Sequence, residues 1–145
     1  MKRIKRKERK QQKRISRKPV LVALRGATCC RNDAEDMQLQ VGALYDELLH
    51  QNRLREQDLV SLIFSVTEDL DVDNPASVLR RLGRVQGAAL FVVQEAAVQG
   101  GMRSVVRLLV HAYLPQGAKP CHIYRNGAQT LRPTGGFKFR NWPRG

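Results

Sequence analysis

The stretch Leu90–Arg107 reads Leu-Phe-Val-Val-Gln-Glu-Ala-Ala-Val-Gln-Gly-Gly-Met-Arg-Ser-Val-Val-Arg. Its apolar beginning predicts a buried strand that ends at Glu95, and its apolar end predicts a second strand that carries Arg107. Gly100 and Gly101 break the chain between the two strands. A buried carboxylate and a buried guanidinium both need partners, because unpaired charge is costly away from water. We expect the two groups to pair with each other or with a charged ligand.

Three side chains outside this stretch could contribute to the same charged site. Arg25 follows an apolar run, Arg80 lies on a short predicted helix, and Tyr124 lies in a later apolar segment. Guanidinium groups offer carboxylates a planar pair of donors and stay charged when water is removed. We interpret these residues, with Glu95 and Arg107, as one anion-binding pocket for a small polycarboxylate. Catalysis in such a pocket would be positional and electrostatic, not covalent.

Net charge separates the chain into a basic beginning and a nearly balanced remainder. The 145 residues carry a formal charge of +13, and the first twenty contribute +10 through 11 Lys or Arg and one acid. The length suits one domain with a core of its own. We predict a disordered basic tail over residues 1–18, a single domain over residues 19–133, and a flexible C-terminal tail over residues 134–145.

The basic tail leaves three interpretations open. It could have no role, or reflect a start assigned too far upstream. It could tether the protein to RNA, DNA or anionic lipid, with binding that weakens steeply as salt rises. It could also be a targeting peptide, although the apolar run Pro19–Leu24 is shorter than the ~7–15 residues that a secretory signal needs.

Cysteine usage and hydropathy predict a soluble cytoplasmic protein. Cys29, Cys30 and Cys121 form no C-x-x-C spacing, which argues against a zinc site, and their odd number fits a reducing compartment. No apolar run approaches the ~20 residues of a membrane-spanning helix. The sequence also has no P-loop, no dinucleotide-binding fingerprint, no metal cluster and no recognisable Ser-His-Asp triad pattern.

The first part of the predicted domain is a strand followed by a helix. Pro19–Arg25 is apolar on both alternating faces, which favours a strand that is covered on both sides and ends at Arg25-Gly26. Asn32 or Asp33 is expected to cap the helix, and His50 falls at the other end, where an imidazolium suits the helix dipole. Residues at helical spacing are interpreted as core: Met37, Val41, Leu44, Tyr45 and Leu48.

The second part of the predicted domain consists of a strand, a loop, a short helix and two further strands. Leu59–Thr67 predicts a strand, and the acidic loop 68–73 is interpreted as solvated because it lacks the Gly and the closing Glu of a calcium loop. Asn74-Pro75 begins a helix that runs to Leu82. Ala88–Glu95 and Val105–Tyr113 predict two further strands.

A hairpin is predicted near the C-terminus. Asn126-Gly127 is typical of a type I′ turn, here between Cys121–Arg125 and Gln129–Arg132. His111 shares a strand face with Arg107 by period-two spacing. We interpret His111 as a hydrogen-bonded structural residue, with a role as general base as the alternative.

The order β-α-β-α-β-β-β-β indicates an α/β or α+β domain, with one mixed β-sheet and helices packed on one side. One face of such a sheet stays uncovered in a single chain. We therefore expect the protein to form an oligomer.

The motifs taken together resemble the AroH class of monofunctional chorismate mutases over about residues 20–133. Each motif is short, and their specificity comes from their common order and spacing. The resemblance rests on Arg25-Gly26-Ala27-Thr28, Ser65-x-Thr67-x-Asp69-Leu70, Pro75-Ala76 with Arg80, Gln94-Glu95 with Gly100-Gly101 and Arg107, His122-Ile123-Tyr124, and Leu131-Arg132-Pro133.

The resemblance implies a fold, an assembly and a reaction. The expected fold is a homotrimer with a pseudo-α/β-barrel core and three active sites at the subunit interfaces. The expected reaction is the Claisen rearrangement of chorismate to prephenate in aromatic amino acid biosynthesis, without cofactor or metal.

Roles carry over to individual residues from the same resemblance. Arg107 matches the arginine that binds the breaking ether oxygen and a substrate carboxylate, and Glu95 matches the acid that binds the ring hydroxyl. Arg25 and Tyr124 match the pair that binds the side-chain carboxylate. Arg80 matches an arginine from the neighbouring subunit, while Leu131 and Arg132 match pocket and rim positions.

The chain departs from the family at four positions near the expected substrate. Asn74 stands where an aromatic residue often precedes the helix, and Ser77 stands where a lysine often follows. Val92 replaces a cysteine near the acid, and Thr134 replaces an aspartate. Asn74, Ser77 and Val92 are therefore predicted substrate-binding positions with changed chemistry.

Two other classes of function remain as alternatives. One is a trimeric module on a similar fold that binds small anions or hydrolyses imines. The other is a nucleic-acid-binding protein that acts through the basic tail.

Overall fold

The structure is a computed structural model that describes residues 18–132, and the predictions for the N-terminal tail through residue 17 and for residues 133–145 lie outside this range. The described chain forms one five-stranded mixed sheet and two α-helices. The strands are β1 (Pro19–Cys29), β2 (Leu59–Val66), β3 (Ala89–Gln94), β4 (Val105–Pro115) and β5 (Ile123–Arg125); the helices are α1 (Ala34–Asn52) and α2 (Pro75–Arg81).

The strands lie in the order β3-β2-β4-β1-β5. The central strand β4 runs antiparallel to both of its neighbours, β1 and β2. The outer strands β3 and β5 run parallel to β2 and β1 respectively. Strand β2 lies between β3 and β4. The end of β3, which Glu95 follows, and the beginning of β4, which carries Arg107, therefore face each other across β2.

Helix α1 begins and ends with cap contacts that the sequence encodes. The Asp33 side chain accepts a hydrogen bond from the Asp36 backbone N–H, and Arg53 closes the helix in a left-handed conformation with φ of 53°. The Asn32 side chain instead binds the loop at Asp71 and Val72. Of the two capping candidates, Asp33 is therefore the cap.

The helix packs closely on β1 because one strand position has no side chain. A Cβ atom at Gly26 would lie 3.1 Å from Leu44 Cδ1 and 3.3 Å from Leu48 Cδ1. These contacts are tighter than a packed core tolerates without a shift of its neighbours. Gly26 therefore lets α1 lie against the part of β1 that carries Arg25.

Both helices cover the same face of the sheet, as predicted. The core combines helix residues such as Val41 and Val78 with Leu24, Phe64 and Leu108 from three strands. The opposite, open face exposes several large apolar side chains. They include Leu21, Phe91, Val93 and Tyr113.

Two strands are less covered than predicted. Over Pro19–Arg25, the single chain buries only one of the two faces of β1. The prediction of a strand covered on both sides is therefore wrong for the single chain. The strand also continues to Cys29, because β4 supplies ladder partners as far as Val105. Strand β3, predicted to be buried, is an edge strand with alternating exposed and half-buried residues.

The predicted hairpin is wrong. Asn126 and Gly127 do adopt left-handed conformations, with φ of 49° and 95°. The first arm, β5, pairs with β1 in parallel instead of with a second arm. The chain after the turn forms a 3₁₀ helix over Ala128–Leu131 because Ala128 is buried in a small cluster with Ala27 and Val105. The described sheet thus has five strands where six were predicted.

Within residues 18–132, no helix combines the length and apolar character that are needed to span a bilayer.

Candidate active site

A salt bridge joins the two charged residues of the organising stretch. Glu95 follows the end of β3, and Arg107 lies in β4. Arg107 Nη2 lies 2.9 Å from Glu95 Oε1, with the side chains 42% and 23% exposed respectively. The partial exposure leaves both groups accessible from the open face of the sheet. The two charges are therefore paired, and both can still meet a ligand.

Arg107 keeps unused hydrogen-bonding capacity. Its Nε atom is buried and has no hydrogen-bond partner within the described chain. An unsatisfied buried donor costs free energy, and native proteins satisfy the great majority of such groups. A ligand acceptor beside Arg107 would relieve this cost.

A groove of about 310 Å³ runs along the open face beside this salt bridge. The size lies in the range of small-molecule sites. Three guanidinium side chains line it, from Arg25, Arg107 and Arg132, with the phenol of Tyr124 and the apolar side chain of Leu131. The structure thus brings together five of the predicted site residues, and Glu95 contacts the groove through Arg107.

A histidine holds the Arg25 end of the groove. The Arg25 backbone N–H donates to His122 Nδ1 at 3.0 Å. Burial, followed by the nearby charges of Arg25 and Arg132, lowers the pKa of His122. The ring is therefore neutral near pH 7, with Nδ1 as acceptor. At the rim, Arg132 Nε donates to the Tyr124 hydroxyl at 3.4 Å.

Four predicted site residues lie away from the groove in the single chain. Arg80 is exposed on α2, and Ser77 lies in the first turns of the same helix. The Asn74 side chain caps α2 by accepting hydrogen bonds from the N–H groups of Ala76 and Ser77. Val92 pairs with the buried Phe64 and packs against the core, so it lies on the face opposite Arg107.

His111 is hydrogen-bonded, as the structural interpretation predicted. Its Nδ1 atom lies 2.9 Å from the Ser61 hydroxyl, and Ser61 is its cross-strand partner on β2. His111 does not line the groove.

The acidic loop is not simply solvated, and that prediction is wrong for Asp69. Its carboxylate accepts hydrogen bonds from the Ser104 backbone N–H at 3.1 Å and from the Ser104 hydroxyl at 2.7 Å. Burial raises the pKa of Asp69, but hydrogen bonds from the Ser104 and Thr67 hydroxyls and from the Ser104 N–H outweigh it and lower the pKa to about 2. Asp69 therefore holds the loop before β4.

Sequence reasoning gave no site role to several groove residues. Ile63, Ser65 and Leu109 also line the groove. Period-two spacing places Ser61, Ile63 and Ser65 on one face of β2. What the sequence does not reveal is that β2 lies beside Arg107, which depends on the strand order.

Within the described range, His, Cys, Asp and Glu side chains do not gather into a group of three or more that could hold a metal ion.

Comparisons with known proteins agree on one family. A family model described as chorismate mutase type I matches residues 21–134. The chorismate mutase AroH of Bacillus subtilis is 31% identical over 113 residues, covering 76% of this chain and 88% of the relative. The chorismate mutase AroH of Thermus thermophilus is 31% identical over 114 residues, covering 76% of this chain and 92% of the relative.

A solved structure is similar to this chain in both fold and sequence. A chorismate mutase from Clostridium thermocellum superposes with a TM-score of 0.70 at 34% sequence identity. The match covers 76% of this chain and 99% of that structure.

Proposed function

This chain belongs to the chorismate mutase type I family, and we propose that it rearranges chorismate to prephenate in the groove beside Arg107. The enzyme is an isomerase that makes and breaks bonds within one substrate molecule. We locate the reaction there because of the Glu95–Arg107 salt bridge, in which Arg107 retains a buried Nε without a partner in the described chain.

The charge of the groove suits this substrate. Chorismate carries two carboxylates, and Arg25, Arg107 and Arg132 line a single groove. One of the three cations is already paired with Glu95, so two positive charges remain for two negative ones. Planar guanidinium groups bind carboxylates through paired hydrogen bonds, and the Tyr124 hydroxyl can add a further one.

Arg107 supplies the main stabilisation of the transition state. In the rearrangement the C–O bond breaks ahead of full C–C bonding, so negative charge grows on the ether oxygen. A guanidinium that is already in place beside that oxygen binds the transition state more strongly than the ground state. Donors of this kind typically contribute about 10²–10³ in rate.

Glu95 is proposed to bind the ring hydroxyl of the substrate while it orients Arg107. Its Oε1 atom meets Arg107 and its Oε2 atom meets the Ser65 hydroxyl. The carboxylate is therefore held from two sides. The remaining task of the groove is to keep the flexible substrate folded over itself, which lowers the entropic part of the barrier.

The active enzyme is proposed to be a homotrimer with sites at the subunit interfaces. The open face exposes the large apolar side chains of Leu21, Phe91 and Tyr113, and apolar surface left exposed on one face marks an interaction site. Arg80 is exposed and outside the groove of its own chain, so it is free to reach a neighbour's groove. We place this enzyme in the cytoplasm, in aromatic amino acid biosynthesis.

The test is an assay of chorismate with the purified full chain. Chorismate loss is followed by ultraviolet absorbance, without added nucleotide and with and without EDTA, and the product is identified chromatographically. Turnover to prephenate that EDTA leaves unchanged supports the proposal. A folded oligomer that binds chorismate without turnover would instead indicate a small-anion-binding protein.

A further inference from the structure

A serine lies beneath the catalytic salt bridge. Strands β3 and β4 flank β2 on opposite sides, and Ser65 on β2 pairs with Val93 of β3 and with Arg107 of β4. Neighbouring strands lie about 4.8 Å apart, so the strands that carry the two charges are roughly 10 Å apart. The Glu95–Arg107 bridge must therefore cross over position 65.

The Ser65 hydroxyl contacts the bridge directly. Ser65 Oγ donates to Glu95 Oε2 at 3.3 Å, while the other oxygen, Oε1, meets Arg107 Nη2 at 2.9 Å. Ser65 also lines the groove. The two oxygens of one carboxylate thus have different partners, which fixes the rotation of the carboxylate plane.

The backbone leaves Glu95 in need of such an anchor. Its N–H donates to Val66 O at 2.8 Å, but β3 ends one residue earlier, at Gln94. The next residues, Ala96 to Gly100, are exposed. The side chain of Glu95 is therefore held by Arg107 and Ser65 rather than by a continuing strand.

We propose that Ser65 is a positioning residue that holds Glu95 in register with Arg107, an inference that rests on the proposed function of the pair. When substrate binds, Arg107 and Glu95 each gain new partners, and the 2.9 Å contact between them must adjust. The Ser65 contact is made to Oε2, the carboxylate oxygen that does not meet Arg107. It keeps the carboxylate in place while Oε1 is shared between Arg107 and the ring hydroxyl.

A small residue is also required at this position. A long side chain at position 65 would occupy the space that the bridge crosses. Serine combines small volume with a hydroxyl donor.

A matched pair of variants tests the hydroxyl. Ser65→Thr and Ser65→Val have nearly the same shape, and both suit a strand, but only the first keeps the hydroxyl. We expect Ser65→Val to lower kcat about tenfold with a KM change of less than threefold, because a hydrogen bond to a charged group is lost. We expect Ser65→Thr to stay within about threefold of the wild type in kcat.

Ser61 provides a control on the same strand and the same face. Its hydroxyl contacts His111 instead of the catalytic pair, at 2.9 Å. Ser61→Val should leave kcat within about twofold. Thermal unfolding and sedimentation of every variant separate a loss of folding or assembly from a loss of rate.

A double-mutant cycle gives the deciding result. In a Glu95→Ala background the acceptor of the Ser65 hydroxyl is gone, so Ser65→Val should lower kcat less than twofold further. If Ser65→Val loses no more activity than Ser61→Val, or loses a full tenfold in the Glu95→Ala background, the positioning role is wrong while the proposed function stands. If the wild type does not convert chorismate, both are wrong.

Discussion

At the scale of the residue, the proposed function requires that the Arg107 guanidinium be paired with Glu95 and still be available to a ligand. Arg107 meets Glu95 at 2.9 Å, yet it is 42% exposed and its Nε atom has no partner in the described chain. A fully buried and fully satisfied arginine could not bind a substrate without losing its existing partners. The partial pairing orients the group and still leaves donors for a ligand, which in the proposed reaction is the ether oxygen.

The first prediction concerns Arg107 itself. Arg107→Ala should lower kcat by about 10²–10³ or more, because the proposed donor to the ether oxygen is lost. Arg107→Lys keeps the charge but loses the planar fork, so it should recover only part of that loss. Steady-state kinetics with chorismate measure both variants.

Arg55 offers the matched control for this prediction. It is an exposed arginine paired with Asp58 at 3.2 Å, and it does not line the groove. Arg55→Ala should leave kcat unchanged within twofold. Near-normal kcat in Arg107→Ala would rule out the electrostatic mechanism.

The second prediction concerns acid stability through Asp69. Its hydrogen bonds lower its pKa from 3.8 to about 2 in the folded protein. The carboxylate therefore stabilises the fold at pH above about 4, and this contribution is lost as the pH falls through the folded value. Asp69→Asn should destabilise the protein by on the order of 1–2 kcal/mol at pH 6 and by much less at pH 2.5.

Urea unfolding at the two pH values measures this difference. Other acids with lowered pKa values, such as Asp36 and Asp58, titrate in both proteins, so the comparison isolates Asp69. An Asp69→Asn effect that is the same at both pH values would contradict the assignment.

At the scale of the element, the end of β2 organises the neighbouring strands. Thr67 Oγ1 accepts from the Val105 N–H at 3.0 Å, and Asp69 holds Ser104 in a left-handed conformation with φ of 57°. These contacts set where β4 begins. A slip of one residue would turn Arg107 from the open face into the core, because side chains alternate along a strand.

The third prediction concerns the cap of α2. Asn74 was predicted to lie near the substrate, but its side chain accepts hydrogen bonds from the N–H groups of Ala76 and Ser77 at 2.9 and 3.2 Å. Asn74→Ala should therefore destabilise the protein by about 1 kcal/mol, as the loss of an N-cap typically does. Asn74→Ser should retain most of the stability, since serine also caps helices.

Denaturant unfolding of the two variants measures the cap, and KM for chorismate measures any substrate contact. Equal stability of Asn74→Ala and the wild type would show that the cap contributes little. A large KM increase in Asn74→Ser, with stability preserved, would assign Asn74 a contact with substrate as well.

At the scale of the whole molecule, the open face is the feature that a single chain leaves incomplete. The helices cover one side of the sheet, while Phe91 and Tyr113 remain exposed on the other. Burying such surface is worth about 25 cal/mol per Å². Association with further copies of the chain would remove it from water.

The fourth prediction tests this face. Phe91→Asp should shift the protein to smaller species in sedimentation velocity, because it places a charge in the proposed subunit interface. Leu39→Asp is the control, since Leu39 is 65% exposed and Phe91 is 64% exposed, but Leu39 lies on α1. Loss of assembly in the Leu39 variant alone would place the interface on the helical side.

The fifth prediction tests whether sites are shared between subunits. Arg80→Ala and Arg107→Ala should each be weakly active alone. A mixture of the two should recover activity after subunit exchange, because some interfaces then contain one intact copy of each arginine. Exchange that is verified by mass spectrometry without recovery would mean that Arg80 does not act across an interface.

Sequence alone determined the features that depend on local chemistry. The apolar runs, the helix starts near Asp33 and at Asn74, and the spacing of Glu95 and Arg107 could be predicted because propensity, capping and alternation act over a few residues. The positive φ at Asn126 and Gly127 could be predicted from the Asn-Gly pair for the same reason. The choice of Asp33 over Asn32 as the cap needed the structure. The family resemblance, which the comparisons confirm, depends on the order of such short motifs.

Only the tertiary structure decided which elements meet. Strand β5 pairs with the free edge of β1 instead of forming a hairpin, and Asp69 binds Ser104 instead of water. The placement of β2 between β3 and β4 puts Ser65 beneath the Glu95–Arg107 bridge. Strand pairing joins segments that are far apart in the chain, and its free energy depends on the burial of the whole sheet, so no local pattern specifies it.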